Sequence, residues 1–164
     1  MLNKITSPDK IDFSGKSNEE IISLMVQLEQ ELKKREIKFD VGEIGETIAI
    51  DFFNNKPGLG KLQRASRGTK DADAYSKKAE RYTIKTIKSA IKTGAIYQDA
   101  DNVTRQLFEY LLIVKLNEDY DLQGIYRFSW EQFLKVRLWD KRMTSWYVPI
   151  SKKAIQQGEI IYEK

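Results

Sequence analysis

Asp73-Ala74-Tyr75-Ser76-Lys77-Lys78-Ala79-Glu80-Arg81-Tyr82-Thr83-Ile84-Lys85-Thr86-Ile87 is the stretch on which the reading of the fold turns. Its second half alternates. Tyr82, Ile84 and Thr86 fall on one face of an extended chain, and Thr83, Lys85 and Ile87 on the other. Residues 73–75 can begin a strand, and Lys77-Lys78-Ala79 offers a turn between the two extended pieces. The stretch therefore reads as a β-hairpin that carries an acid near its start and a lysine near its end.

Upstream, Gly58-Leu59-Gly60-Lys61-Leu62-Gln63-Arg64-Ala65-Ser66-Arg67-Gly68-Thr69-Lys70 reads as a loop rich in Gly, Ser, Lys and Arg. Before it, Ile44, Ile48 and Phe52, widened by Ala49 and Phe53, form the apolar stripe of a helix over residues 41–53. An earlier helix follows Ser17, which with Glu20 spells a capping box. Ile21, Leu24, Met25, Leu28 and Leu32 line one face of it, a stripe expected to pack on the core or to join two copies. Downstream, residues 108–116 are β-branched and aromatic, as in a central strand. A turn over 117–121, a strand over 122–128, a short helix capped by Ser129 and Gln132, and an extended piece over 147–150 complete the pattern. The expected fold is α/β: one domain over 1–164, with an N-terminal helical extension over 1–40 and a core over 41–150.

Composition narrows the chemistry. The 164 residues suit one hydrophobic core. With 41% hydrophobic and 32% charged residues the chain is globular rather than disordered. No apolar run reaches the 18 or so residues of a membrane span, and the first ten residues do not resemble a secretory signal. There are no cysteines, which excludes disulfides and thiolate metal sites and agrees with a cytoplasmic location. There are no histidines, which excludes Ser-His triads and the usual zinc sites. Catalysis would fall to carboxylates, lysines, hydroxyls or an oxygen-ligated cation.

The basic charge is concentrated. Residues 56–92 hold eleven Lys or Arg against three acids, a surplus of eight, whereas the first 55 residues hold seven against eleven, a deficit of four. Such a block is either a solvated surface or a face for phosphates. Within and beside it, Lys61, Arg64, Arg67, Lys70, Lys88 and Lys92 are the candidate contacts to nucleic acid. Gly58, Gly60 and Gly68 let the loop approach a backbone closely. Its spacing is not that of a Walker loop, so no nucleotide cofactor is assigned. Trp130, Trp139, Trp146 and Tyr147 are either core or base-stacking residues, and Arg137, Lys141 and Arg142 are either solvated or phosphate-facing.

Glu43 and Glu46 share a face of the second helix, Asp73 opens the hairpin and Lys85 closes Thr83-Ile84-Lys85. A helix acid, then Asp, then about ten residues, then (acid)-x-Lys on the adjoining strand resembles the PD-(D/E)XK nucleases, which include restriction endonucleases. Gly68-Thr69, Phe108-Glu109-Tyr110 and Trp130-Glu131-Gln132-Phe133 add to the likeness, which covers roughly residues 41–147. The resemblance implies a restriction-endonuclease-like fold, a mixed central sheet flanked by helices. It implies metal at Asp73, Glu46 and Ile84, and catalysis by Asp73, Lys85 and Glu46, with Thr83 lining the site. It further implies Mg²⁺, with Mn²⁺ as a substitute, double-stranded DNA as substrate in restriction or phage defence, and a homodimer joined through the helix after Ser17. One position departs from the family. Two residues before Lys85 the family carries an acid or sometimes Gln, and this chain carries Thr83. Either Glu46 supplies the missing charge, or Asp71 or Glu43 reaches the metal, or the chain is a nucleic-acid binder or a subunit of a larger complex without activity.

Overall fold

In the computed structural model, which describes residues 9–164, β-structure is organised around the hairpin and the strand that follows it. Helix α1 spans Asn18–Lys34 and α2 spans Val41–Asn55. Strands β1 (Leu62–Arg64), β2 (Ala74–Ser76), β3 (Arg81–Lys88), β4 (Tyr110–Leu116) and β5 (Leu122–Ser129) follow, then α3 (Trp130–Val136). A small ribbon of β6 (Leu138–Asp140) and β7 (Ser145–Tyr147), the single-turn α4 (Lys152–Ile155) and β8 (Glu159–Glu163) end the chain.

The main sheet has six strands in the order β1-β2-β3-β4-β5-β8. All neighbours are antiparallel except β3 and β4, which run parallel with Ile84 opposite Leu112. The sheet is therefore mixed, as expected. The parallel pair requires a crossover, and residues 89–109 make it without a helix. Two things hold that crossover. Bridges Lys92–Pro149 and Ile96–Trp146 tie it to the C-terminal segment. Asp99 folds it locally, accepting from the Asp101 and Asn102 backbones at 3.0 Å each and from Arg105 at 2.7 Å.

The central strand is β4: Leu111, Leu112, Ile113 and Val114 are wholly buried, because both faces of the sheet are covered. One face packs under α2, where Ala49, Ile50 and Phe53 meet Tyr82, Ile84, Leu112 and Val114. The other carries Ile87, Leu111, Ile113 and Phe128 against Phe133 and Val136 of α3. Helix α2 starts because the Asp40 carboxylate accepts from the Glu43 N–H at 2.9 Å. It lies very close to β3 at Gly45: a Cβ there would stand 1.9 Å from Thr86 Oγ1.

Four expectations change. The stretch expected as a loop contains β1, whose Leu62 is buried beside the α2 core and whose other two residues face solvent. The helix after Ser129 stops at Val136 rather than running toward Asp140, because Arg137 leaves the helix to stack 3.8 Å above the Trp146 ring. The core does not end at 150: β8 pairs with β5 and buries Ile161. The α1 stripe does not pack on the core, since no residue of α1 is buried. The capping boxes at Ser17 and Ser129 both form. Among the described residues no helix is long and apolar enough to cross a membrane.

Candidate active site

The site begins where β2 parts from β3. Ala74 faces Tyr82, and Asp73 N still donates to Tyr82 O at 2.8 Å. One residue further back the pairing ends, and Asp71 turns the chain away with φ of 63°. A non-glycine residue at such a φ is uncommon and fixes a kink. The edge of β3 is left without a strand partner from Ile84 onward. Asp73 takes its place: Oδ2 accepts from the Ile84 N–H at 2.6 Å and from Thr83 Oγ1 at 3.2 Å.

Strand alternation then orients the backbone. Tyr82 O points toward β2 and Arg81 O toward β4, where it accepts from Glu109 N at 3.0 Å. The carbonyl of Ile84 therefore shares the side of its N–H, facing the space that β2 vacates. Among the described residues it has no hydrogen-bond donor there, nor does Asp73 Oδ1.

Across from Asp73 stands Glu46 of α2. Both line a cleft of about 610 Å³. Arg64 on β1 reaches in and donates to Glu46 Oε2 at 2.8 Å, to Glu43 Oε2 at 3.1 Å and to Thr47 Oγ1 at 2.8 Å. Even so, the Glu46 carboxyl is pushed up from 4.5 to about 7. Burial is the main cause and the Asp73 charge comes next, against the opposing pull of Arg64. Glu46 thus keeps its proton toward neutral pH although a guanidinium is bound to it.

Hydrogen bonds bring Thr83 and Ile84 to Asp73, and Asp73 shares the cleft with Glu46. Lys85 is not part of this group. The alternation of β3 puts Tyr82 and Ile84 under α2, and Thr83, Lys85 and Ile87 on the far face, where Ile87 joins the α3 core. Lys85 sits about 7 Å along that face from Thr83 and does not line the cleft. It makes no hydrogen bond or ion pair among the described residues. Of the alternatives for the missing acid, Glu43 is in the cleft but tied to Arg64. Asp71 does not line the cleft; its charge bears on Arg81, and its Oδ2 is buried without a hydrogen-bond partner among the described residues.

The basic candidates are more self-contained than their charge implies. Arg64 belongs to the carboxylates just described. Lys61 donates to Asn54 O, and Arg67 donates to Glu36 O at 3.0 Å. Lys70 pairs with Asp99 at 3.6 Å, Lys88 with Glu118 at 3.2 Å and Lys92 with Asp140 at 2.8 Å. Lys77 and Lys78, at the exposed hairpin turn, carry no such partner among the described residues. Trp130 packs on Phe108 and Phe133, hence with the core. Trp139 is partly exposed and meets Trp146 edge to face at 4.8 Å.

The cleft residues absent from the sequence-based candidates include Arg35, Thr47 and Asp51. Thr47 and Asp51 lie on the same helix as Glu46, one and five residues on. Their helical spacing was a signal, whereas Arg35, beyond the end of α1, left none.

The donors fit a hard divalent cation. Asp73 Oδ1, the Ile84 carbonyl and the second Glu46 oxygen are the oxygens that could hold such an ion. The set is lean: among the described residues there is no group of three or more His, Cys, Asp or Glu that could hold a metal. Magnesium sites built on one or two carboxylates plus water and substrate need no more.

Compared with known proteins, the chain matches no protein-family model, and no curated protein is significantly similar to it.

Proposed function

We propose that this chain is a PD-(D/E)XK-type, metal-dependent endonuclease that hydrolyses phosphodiester bonds of double-stranded DNA, in restriction or phage defence. The observation that carries the reading is Asp73. Its carboxylate sits at the parting of an antiparallel strand pair, beside an unpaired strand carbonyl and opposite a helix glutamate. A restriction-endonuclease-like arrangement of the mixed sheet is part of the same proposal. So is a cytoplasmic location, where such an enzyme meets DNA.

In this reading Asp73, Glu46 and the Ile84 carbonyl hold Mg²⁺ or Mn²⁺. When bound, the ion supplies electrostatic stabilisation to the charge that builds on a phosphodiester during hydrolysis. The protein's own groups do the rest. Thr83 holds Asp73 Oδ2 with its hydroxyl and so fixes which way Oδ1 faces. Glu46, whose carboxyl is pushed up to about 7 mainly by burial, would give up its proton to hold the ion. Lys85 stays outside the cleft and would act only on a phosphate that crosses the strand edge to the Thr83 face. Lys77 and Lys78 offer further phosphate contacts, each of which steepens the salt dependence of binding.

A second reading, a nuclease-fold nucleic-acid binder without activity, is favoured by Thr83. It adds no charge to the metal set, and no third carboxylate of the described residues replaces it. One assay separates the two. Purified protein is incubated with supercoiled plasmid in Mg²⁺, Mn²⁺ or EDTA, alongside Asp73→Ala and Lys85→Ala. Metal-dependent nicking or linearisation, lost in both variants, is the expected result. DNA binding without cleavage by the wild type, unchanged in Asp73→Ala, would establish the binder instead.

A further inference from the structure

Helix α1 has an apolar face that, among the described residues, stays largely open: Ile21 and Leu32 are half-buried and the apolar residues between them are exposed. Met25 is 59% exposed and Leu28 62%, and no residue of the helix is buried. Single exposed apolar residues need no explanation, but a continuous stripe does. Ile21, Met25, Leu28 and Leu32 are spaced four, three and four apart, the seam of a two-helix coiled coil, with Ile22 and Leu24 at its flanks. The seam runs most of a helix about 25 Å long.

The charges say what fits it. The first turn is acidic, with Glu19 and Glu20, and the last turn carries Lys33 and Lys34, where Glu31 is held by Lys34 at 3.8 Å and by Arg35 at 2.8 Å. A second α1 laid antiparallel answers both patterns at once. With Ile21 opposite Leu32 and Met25 opposite Leu28, the seam is self-complementary under a two-fold axis. The same register sets Glu19 and Glu20 beside the partner copy's basic last turn, well within a Debye length. A parallel pair would set acid against acid and base against base.

We propose that α1 joins two copies of this chain as an antiparallel helix pair in that register. The inference does not rest on the nuclease reading. It does bear on the cleft, because Arg35, Glu36 and Ile37, which follow α1 directly, line it. Pairing through α1 would hold the two clefts in a fixed two-fold relation.

The test uses the full chain. Sedimentation velocity across a concentration series should give twice the 19.1 kDa chain mass. Met25→Glu/Leu28→Glu should give one chain mass at every concentration. Both side chains are exposed within the chain, so that variant should fold, with an unchanged circular dichroism spectrum and melting curve as the check. Glu19→Lys and Lys34→Glu, opposite each other in that register, should each weaken dimerisation severalfold, and an equimolar mixture of the two should recover it. The chain has no native cysteine, so register can be read directly. An oxidised mixture of Ile21→Cys and Leu32→Cys should give the mixed disulfide, with little product from either variant alone. Three results would overturn the proposal: a wild-type monomer at the highest soluble concentration; self-crosslinking of Ile21→Cys, which marks a parallel pair; or a dimer indifferent to the Met25/Leu28 change.

Discussion

Glu46 should make this protein less stable as pH rises through the neutral range, and replacing it by Gln should remove that loss. The folded chain holds the Glu46 proton up to about pH 7, whereas the ordinary value is 4.5. Below pH 4.5 both states are protonated and the group contributes nothing. Between 4.5 and 7 the unfolded chain has released the proton and the folded chain has not, so folding takes up a proton and stability falls with pH. At ~1.4 kcal/mol per pH unit the fall accumulates to about 3 kcal/mol, an upper figure for a group that keeps some contact with water. Above pH 7 both states are ionised and the slope ends. The assay is urea unfolding followed by tryptophan fluorescence from pH 4.5 to 8.5, with EDTA present. Glu46→Gln keeps an acceptor for Arg64 but carries no charge. It should gain on the wild type steadily across the window and be more stable by up to about 3 kcal/mol at pH 8. Addition of Mg²⁺ at pH 8 should raise the wild-type midpoint and leave the variant's nearly unchanged. Parallel pH profiles for the two proteins would refute the reasoning, since they would mean that burial and Asp73 do not hold the proton on Glu46.

Three further outcomes follow from the same packing. Gly45→Ala should lower the melting temperature by about 5 °C, because overpacking against Thr86 costs more than the helix gains from alanine; Thr86→Gly in the same chain should recover part of it, a coupling that a double-mutant cycle in thermal unfolding measures. Thr83→Asp puts a second carboxylate against Asp73. It should lower stability in EDTA, regain it in Mg²⁺, and raise the cleavage rate if the nuclease reading holds. Glu109→Gln removes the charge that accepts from Arg81 N at 2.7 Å, Nε at 3.0 Å and Nη2 at 2.7 Å. It should cost about 1–2 kcal/mol in chemical denaturation, since this carboxylate secures the entry of β3 beside β4.

What was legible in the sequence followed from strict periodicity. The hairpin over residues 74–88 announced itself because Tyr82 and Ile84 alternate with Thr83 and Lys85 and Lys77-Lys78-Ala79 breaks the run. The central strand did so because Leu111 to Val114 are apolar without interruption. The capping boxes are local chemistry and need no tertiary context. Short elements were less visible. Strand β1 buries one side chain out of three, and β8 carries adjacent isoleucines of which Ile161 alone is buried, so neither shows a period. The end of α3 is set by a ring that lies ten residues further on, Trp146 under Arg137. At the site, the acids could be singled out by type and spacing. Their juxtaposition depended on the Asp71 kink, for which a positive φ at an aspartate gave no sequence warning. The engagement of Arg64 by Glu43 and Glu46 was equally hidden, because it joins residues on two elements.

The substitution of a carboxylate for a strand partner at Ile84 has an experimental use. Most amides in the middle of a sheet are protected from solvent by a neighbouring peptide group and report on the unfolding of whole strands. The Ile84 amide is held at 2.6 Å by a side chain instead. Its exchange rate and its proton chemical shift therefore report on Asp73 alone. A cation, a phosphate or a mutation that draws Asp73 aside would change this one resonance while its β4-bonded neighbours stay still. One backbone proton thus offers a direct reading of occupancy at the candidate centre, with no substrate or cleavage required.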